Sequence, residues 1–300
     1  MVLVDAGDAL ARSVRLDVEP VPTQAERRKM SFILETMGKL GYDAMAVGER
    51  DLVLGVEELK KMAAKAKVTL LAANLLDKGG KRPFEQRKLV TAGGVKVGIF
   101  AVAEGAELER KGLKVLPALE QANLQARALR KAGADLVVAL LHQDYDSALK
   151  TAQKLQGVDF AIQSHGGRVS STQAVGKVVL AAGGERGRRL GRAEFELGGK
   201  GPLFDRAEAK SARAQLGHLE QTIGKYKQQQ QQASAQAEKD QLERLLKPLA
   251  KRRQELLAKM EAEAPAGRNS VLCELVPLDR RVADDPEIAQ TAKEVESAAR

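Results

Sequence analysis

The chain has 300 residues, of which 44% are hydrophobic and 30% are charged, a composition ordinary for a globular protein with a core. No apolar run approaches the roughly 18 residues of a membrane span, and the single cysteine, Cys273, excludes an internal disulfide. The net charge is +9, but only 3% of the residues are aromatic and none is Trp, so the stacking surfaces of single-strand binders are missing. We therefore expect a solvated basic surface and no nucleic-acid partner.

The first two hundred residues alternate short apolar runs with helical patterns, which predicts an α/β fold. In chain order we expect strand Val2–Asp5, helix Thr23–Leu40, strand Asp43–Val47, helix Val56–Ala66, strand Val68–Ala73, a hairpin turning at Ala92-Gly93-Gly94, helix Ala118–Ala132, strand Asp135–Leu141, helix Ser147–Leu155 and strand Val158–Ile162. The arms KVVLAAGG and RRLGRAEFEL are then expected to form a further hairpin. Parallel units mixed with hairpins favour two sheets over a single doubly wound sheet.

The sequence pattern changes near residue 205. Between Ala207 and Ala264 helix formers dominate, and two series of apolar residues follow the three-four spacing of a coiled-coil seam. The polar stretch KQQQQQASAQAEKD separates the two series. This pattern predicts two helices folded back on each other as an antiparallel hairpin, with a kink at Pro248.

After this hairpin the chain is expected to return to the α/β body. The run Val271–Val276 predicts a strand, and a polar tail is expected from Pro286 onward. The predicted organisation is therefore an α/β domain over 1–204, a helical hairpin over 205–265, and a returning strand with a polar C-terminal tail over 266–300.

Four side chains that can bind a metal follow four predicted strands. His142 ends DLVVALLH, His165 follows VDFAIQS, Asp8 follows VLVDAG and Glu49 follows AMAVG. Because the carboxyl ends of such strands gather ligands at one edge of a sheet, we expect these side chains to converge. Two imidazoles and two carboxylates suit one divalent cation such as Zn²⁺, Mn²⁺ or Fe²⁺. The third histidine, His218, lies in the helical segment, where a solvated surface role is expected.

The order of these motifs resembles that of the calcineurin-like metallophosphoesterases, specifically their bacterial 5′-nucleotidase branch. VDAGDAL is similar to the family's Gly-Asp block and GYDAMAVGERDLVLGVEEL to its Gly-Asn-His-Glu/Asp block. DLVVALLHQD resembles the single-histidine block and GVDFAIQSHGGR the Gly-His-x-His block. The likeness runs roughly from Val2 to Leu197 and rests on block order and spacing.

The resemblance implies a two-sheet α/β/β/α sandwich, here with the helical hairpin inserted as a coiled coil. It also implies hydrolysis of phosphoric esters, which in this family uses two metals about 3.5–4 Å apart. A periplasmic or otherwise exported location follows by resemblance. The cytoplasm is the alternative, because nothing at the start of the chain reads as a signal peptide.

The chain departs from the family's metal ligands in a pattern that spares one site. The opening Asp-x-His block is absent, whereas Asp8 matches the bridging aspartate. His142 and His165 match two histidine ligands, and Glu49 stands in place of the metal-binding asparagine. The resemblance therefore implies one divalent cation at most, held by these four residues, or none.

Two further departures affect the phosphate side of the site. Arg50 stands where the family has the histidine that assists the leaving group, and Gly167 replaces the second histidine of the last block. An arginine does not donate a proton at neutral pH, but Arg50 can clamp a phosphate oxygen or form an ion pair with Glu49 or Asp8. Arg168 is a weaker candidate for phosphate binding. The GERD segment is thus either a rebuilt one-metal phosphate site or the remnant of a lost one. As far as efficient catalysis is concerned, we favour the interpretation as a remnant.

Two functions remain open. The first is a nucleotidase-type phosphoric-ester hydrolase whose activity is weakened or lost, with a phosphate ester as its ligand. The second is a non-catalytic binding or scaffold protein that recruits a protein partner through the helical hairpin. Nothing after Gly267 is long enough for the separate C-terminal domain that recognises the nucleoside in these nucleotidases. The resemblance therefore supports a nucleotide substrate only weakly. The aspartates near His142, Asp144 and Asp146, are expected to serve as helix N-caps.

Overall fold

The structure is a computed structural model, and it describes residues 1–11, 23–166, 169–184, 187–261 and 267–297. Within these ranges the protein is a mixed α/β molecule with several sheets and eight helices, which confirms the predicted α/β class. The chain divides into two compact units, one formed by residues 1–170, 174–191 and 275–300 and the other by 171–173 and 192–274. Among the described helices, none combines the length and the hydrophobicity that a membrane crossing requires.

The described strands are β1 (Val4–Asp5), β2 (Ala44–Ala46), β3 (Leu70–Leu71), β4 (Leu75–Leu76), β5 (Arg87–Ala92), β6 (Val95–Ala103), β7 (Lys114–Val115), β8 (Leu136–His142), β9 (Phe160–Ser164), β10 (Val169–Val175), β11 (Val178–Gly183), β12 (Arg189–Glu196), β13 (Lys200–Asp205) and β14 (Arg268–Pro277). The helices are α1 (Gln24–Lys39), α2 (Val56–Ala66), α3 (Ala106–Arg110), α4 (Ala118–Lys131), α5 (Tyr145–Lys154), α6 (Arg206–Gln232), α7 (Gln236–Glu261) and α8 (Pro286–Ser297).

Local chemistry explains several of these boundaries. Helix α1 begins behind a capping box in which the Glu26 carboxylate accepts from the Thr23 N–H at 2.7 Å and the Thr23 hydroxyl accepts from the Glu26 N–H at 3.2 Å. The β5–β6 hairpin turns at Gly93 and Gly94, whose φ angles of 59° and 80° lie in the region that favours glycine. Asp144 caps α5 by accepting from two backbone N–H groups at 3.0 Å, as predicted.

Two sheets position the strand ends that carry or precede the predicted metal-binding residues. Strands β1, β2 and β3 form a parallel three-stranded sheet, and a six-stranded sheet runs in the order β10-β11-β9-β8-β6-β5. In the six-stranded sheet β6, β8, β9 and β11 are parallel, and His142 pairs with Ser164 at the end of the β8–β9 ladder. His142 is therefore fixed by strand register rather than by a loop.

Each of these sheets has its own hydrophobic core. Helices α1 and α2 pack on the three-stranded sheet, and the fully buried side chains there include Met30, Leu34, Met45 and Leu59. Helices α4 and α5 pack on the six-stranded sheet through a second core that includes Ala122, Ala126, Leu129, Val137 and Ala148. The rigid strand ends of both layers thus rest on packed helices.

In the second unit, the long helices α6 and α7 contact each other around a small buried cluster of Ala212, Leu216 and Leu256. Pro248 lies inside α7. A further sheet has the strand order β12-β14-β13, with β13 and β14 parallel.

One local prediction is wrong. The segments on either side of residues 185–186 do not pair as a hairpin, because β9 and β10 occupy the two edges of β11 while β12 pairs with β14. The expected polar C-terminal tail contains helix α8, whose Ile288, Ala292 and Val295 follow helical spacing and are partly buried. This helix contacts α1, where Lys39 Nζ lies 2.6 Å from the Glu287 carboxylate.

We predict that Gly38→Ala lowers the free energy of unfolding by about 1–3 kcal/mol, because a Cβ at Gly38 would lie 2.0 Å from the backbone oxygen of Ala66 at the end of α2. Gly217→Ala, in α6, is the matched control, since a Cβ there meets no heavy atom within 4 Å. Urea unfolding should show that this second change stabilises the protein by about 0.5–1 kcal/mol. Two changes of the same sign would contradict this account of the α1–α2 contact.

Candidate metal centre

The four predicted metal-binding residues meet at one place. Asp8 follows β1, Glu49 follows β2, His142 is the last residue of β8 and His165 follows β9. One ligand atom from each side chain lies within 4.8 Å of the corresponding atoms of the other three. The structure therefore brings together residues from two sheets that are separated by up to 157 positions in sequence (165 minus 8).

The contacts are close enough for the groups to share a cation or a proton. His142 Nε2 lies 2.8 Å from Oε2 of Glu49 and 3.6 Å from Oδ1 of Asp8. His165 Nδ1 lies 3.1 Å from Oε1 of Glu49 and 3.9 Å from Oδ2 of Asp8. Each imidazole thus presents one nitrogen to both carboxylates.

Neighbouring groups orient the His142 ring. The ring is fully buried, and its Nδ1 lies 2.9 Å from the Ser164 hydroxyl and 3.2 Å from the Ala6 carbonyl oxygen. A proton on Nδ1 can be donated to these acceptors, which leaves Nε2 free to face the centre of the cluster as a ligand.

His165 is held differently. Its Nδ1 is buried and has no hydrogen-bond partner among the described residues, although it lies 3.1 Å from Glu49. Its φ angle of 82°, like the 64° of Asp8, lies in the left-handed region that non-glycine residues rarely adopt. Such backbone strain is common at functional sites, where the surrounding structure offsets its cost.

Glycine makes the close approach possible. A Cβ at Gly48 would lie 2.3 Å from Oδ1 of Asp8 and 2.6 Å from Cε1 of His142. A Cβ at Gly7 would lie 2.9 Å from Nδ1 of His142. Any larger residue at these positions would occupy the space that the carboxylate and the imidazole share.

The electrostatics follow from this crowding. Burial alone would raise the pKa of Glu49, but the adjacent imidazoles of His142 and His165 hold it well below its usual range. Burial opposes protonation of His142, but the carboxylates of Glu49 and Asp8 nevertheless raise its pKa. The carboxylates of Asp8 and Glu49 raise the pKa of His165 to about 10. A metal bound here would replace any protons on the imidazole nitrogens that face the carboxylates.

The chain is similar to known proteins over part of its length. No protein-family model matches the chain. Over 175 residues it is 28% identical to the 5′-nucleotidase of Rattus norvegicus, a match that covers 55% of this chain and 29% of that protein. The structure superposes on the calcineurin-like phosphoesterase YfkN from Bacillus subtilis with a TM-score of 0.62 at 17% identity, covering 99% of this chain and 83% of the other. For the 5′-nucleotidase precursor from Thermus thermophilus the TM-score is 0.53 at 24% identity, with 65% and 42% covered.

The chain resembles the calcineurin-like metallophosphoesterases of the 5′-nucleotidase branch. The resemblance stated from the sequence motifs is thereby confirmed, and the structural likenesses show that the fold is shared. The chain spans less than a third of the length of the curated relatives that it matches.

The arginine in this metallophosphoesterase-like site contacts one carboxylate. Arg50 Nε lies 3.4 Å from Oδ2 of Asp8, and the Arg50 backbone N–H donates to Oδ1 of Asp8 at 2.9 Å. The Arg50 side chain remains 39% exposed, so part of the guanidinium faces solvent. The other two positions considered on the phosphate side, Gly167 and Arg168, lie outside the described residues.

Sequence reasoning missed Asp51. This carboxylate is fully buried and accepts from the backbone N–H groups of Asp8 at 2.8 Å, Gly48 at 2.9 Å and Leu10 at 3.1 Å. It therefore joins the loop after β1 to the loop after β2, which carry Asp8 and Glu49. Burial, followed by the charge of Asp8, raises the pKa of Asp51 to about 7. Its place in GERD, directly after two site residues, was the available signal.

We predict that Asp51→Ala lowers the free energy of unfolding by at least about 2 kcal/mol, because it leaves backbone N–H groups without an acceptor in a buried site. Asp77→Ala is the matched control: Asp77 also accepts from two backbone N–H groups, of Gly79 and Lys81, but at the surface. Thermal unfolding should show a loss of only about 0.5–1 kcal/mol for the control, since water replaces the lost acceptor. Equal losses would mean that Asp51 does not join the two loops energetically.

Proposed function

We propose that this chain is a 5′-nucleotidase-type metallophosphoesterase domain that binds one divalent cation at most and whose hydrolysis of phosphoric esters is weakened or lost. The cation would be Mn²⁺, Zn²⁺ or Fe²⁺, and its ligands would be Asp8, Glu49, His142 and His165. The observation that carries the proposal is the convergence of these four side chains within 4.8 Å.

The residues present fit such a cation. Two imidazoles and two carboxylates complete a four-ligand set of the kind that holds zinc and related metals. The buried Nδ1 of His165, which lacks a hydrogen-bond partner among the described residues, would instead coordinate the metal through its lone pair. When bound, a divalent cation supplies Lewis-acid polarisation of a phosphate oxygen.

The chain's own residues account for weakened catalysis. Arg50 is placed beside Asp8 with part of its guanidinium in solvent, and it can bind a phosphate oxygen there. It cannot protonate a leaving group at neutral pH, and a positioned general acid contributes about 10²–10⁴-fold to a rate. A site that binds a phosphate ester but does not assist its departure is therefore expected.

We also propose how the sheets and the long helices are arranged. The α/β part would be a two-sheet α/β/β/α sandwich, supported by the pairs of helices packed on the three-stranded and six-stranded sheets. Helices α6 and α7 would form an antiparallel coiled-coil hairpin inserted between β13 and β14, supported by their mutual contact.

The alternative is a non-catalytic scaffold that uses this hairpin to bind a protein partner. It is favoured by the contact of Arg50 with Asp8, which can neutralise the site without a metal, and by apolar exposure on α7, where Leu245 is 44% exposed. Metal binding distinguishes the two functions, because the scaffold needs none.

An exported location is also proposed, with the cytoplasm as the alternative. It is supported by relatives that include a snake venom 5′-nucleotidase of Gloydius brevicauda, 28% identical over 164 residues. The match covers 50% of this chain and 27% of that protein.

We predict that the purified protein binds about one Mn²⁺ or Zn²⁺ per chain, measured by calorimetric titration and elemental analysis. His142→Ala should weaken binding by more than about 100-fold, since even changes behind a metal ligand cost about 10–100-fold. His218→Ala is the control, because His218 is exposed on α6 and should leave binding unchanged. An absence of binding would favour the scaffold, and equal binding by both variants would contradict the assignment of His142 as a ligand.

We predict that Arg50→His raises Mn²⁺-dependent hydrolysis of an aryl phosphate by at least about tenfold, because it returns a group that can donate a proton. Arg50→Ala removes the same guanidinium without adding an acid, and its rate should be no higher than that of the wild type, since it also loses the phosphate contact. If the two variants hydrolyse the ester equally, the missing acid is not what limits catalysis.

A further inference from the structure

The backbone of His165 has a conformation that few residues adopt without support. His165 follows β9 with a φ angle of 82°, whereas His142 lies inside β8 and is fixed by the ladder of that strand. A left-handed residue other than glycine persists only where its surroundings hold it there. We therefore looked for the group that fixes the backbone at the end of β9.

The side chain of Gln163 is that group. It is buried, with 3% exposed, and Nε2 of its amide donates to the carbonyl oxygen of His165 at 2.7 Å. The same nitrogen donates to the carbonyl oxygens of Gln143 at 2.7 Å and of Ser164 at 2.9 Å, so its two N–H bonds are shared among three acceptors. Because Gln143 directly follows His142, this amide joins the loops that leave β8 and β9.

Strand alternation explains how two neighbouring residues can act on the two imidazoles. The side chains of Gln163 and Ser164 leave β9 on opposite faces. The Ser164 hydroxyl lies 2.9 Å from Nδ1 of His142 and orients that ring. The Gln163 side chain reaches the carbonyl groups at the end of the strand and holds His165 through its backbone.

The amide is chemically suited to this position. Carbonyl oxygens need N–H or O–H donors, and an apolar side chain of the same size has none. A lysine would offer donors but would bury a charge, which is costly without a partner. Glutamine supplies two N–H bonds without a charge, and it follows the apolar residues Phe160, Ala161 and Ile162 at a place where packing alone would favour another apolar side chain.

We propose that Gln163 is a positioning residue, which sets the imidazole of His165 in the four-residue cluster. In that position Nδ1 of His165 lies 3.1 Å from Glu49, and its ring centroid lies 5.2 Å from that of His142 in an edge-on arrangement. The position of the imidazole can be measured without a cation. Only the expected effect on metal binding rests on the function proposed above.

Nuclear magnetic resonance of the metal-free, full-length chain tests the position directly. The sequence has only three histidines, so their ring signals can be assigned by single substitutions to alanine. The wild type should show a nuclear Overhauser cross-peak between the rings of His142 and His165. Gln163→Met keeps the length of the side chain but removes both N–H donors, so this cross-peak should be lost. A wild type without the cross-peak, or a variant that keeps it, overturns the proposal.

Calorimetric titration with Mn²⁺ or Zn²⁺ gives a second readout. Gln163→Met should weaken binding by about 10–100-fold, which is typical for the loss of a group that orients a metal ligand. Equally tight binding by the wild type and this variant overturns the proposal. If the wild type shows the cross-peak but binds neither metal, the proposed function fails, and the cross-peak of the variant alone decides the role of Gln163.

Gln125→Met is the matched control, because Gln125 is also a fully buried glutamine with a hydrogen-bonded amide. It lies on α4, where its Oε1 accepts from Arg87 at 2.7 Å and its Nε2 donates to Gln86 at 3.3 Å. This variant should lose stability but keep both the cross-peak and the metal affinity. Loss of the cross-peak in both variants would indicate general destabilisation and overturn the proposal.

A milder variant decides if Gln163→Met fails to fold by circular dichroism. Gln163→Asn keeps an amide but shortens the side chain by a methylene group, so its nitrogen no longer reaches the carbonyl oxygen of His165. The cross-peak between the rings of His142 and His165 should then weaken. A cross-peak as strong as that of the wild type overturns the proposal.

Discussion

The crowding of four ionisable groups at one point, two of them buried, is the constraint on which the rest of the site depends. Asp8, Glu49, His142 and His165 can lie this close together only if their charges compensate each other and their buried polar atoms find partners. The structure meets this condition around His142. Ser164 and Ala6 satisfy the far nitrogen of His142, and glycine at position 48 removes the side chain that would otherwise separate the carboxylate from the imidazole.

Asp51 connects this constraint to the fold. By accepting from the N–H groups of Asp8 and Gly48, it ties the loop after β1 to the loop after β2. Burying one more carboxylate beside Asp8 is unfavourable, as its raised pKa indicates. The hydrogen bonds of Asp51 fix the positions of the two loops, and this stabilisation offsets the local cost of burying the carboxylate.

Two departures from the metallophosphoesterase pattern lie at the centre: Glu49 is one of the four converging groups, and Arg50 contacts Asp8. The resemblance assigns the four converging groups to a single metal position, and it places Arg50 where the family has the histidine that assists the leaving group. The guanidinium is near Asp8 and yet partly exposed, so the same side chain can either neutralise the centre or meet an anion. In the proposed function, phosphate binding and leaving-group protonation would be separate, because an arginine can bind a phosphate oxygen but does not donate a proton at neutral pH.

Much of the fold was predictable, because periodicity and capping are local properties. Helix α2 was predicted at its observed bounds, and the turn at Gly93 and Gly94 was identified from its two glycines. Helix α8 was missed because its apolar positions are few and only partly buried, so its pattern was weak. The partner of β11 was predicted incorrectly, since adjacency in sequence does not reveal which strands already occupy an edge.

The sequence by itself determined the residue types of the centre and their places at strand ends, because strand alternation and the order of motifs are written locally. Only the tertiary structure decided that these ends meet, since Asp8 and Glu49 come from one sheet and His142 and His165 from another. It alone placed Arg50 against Asp8, left Nδ1 of His165 without a hydrogen bond among the described residues, and revealed the role of Asp51. These features depend on distances between segments far apart in the chain, and such distances arise from packing that no local pattern encodes.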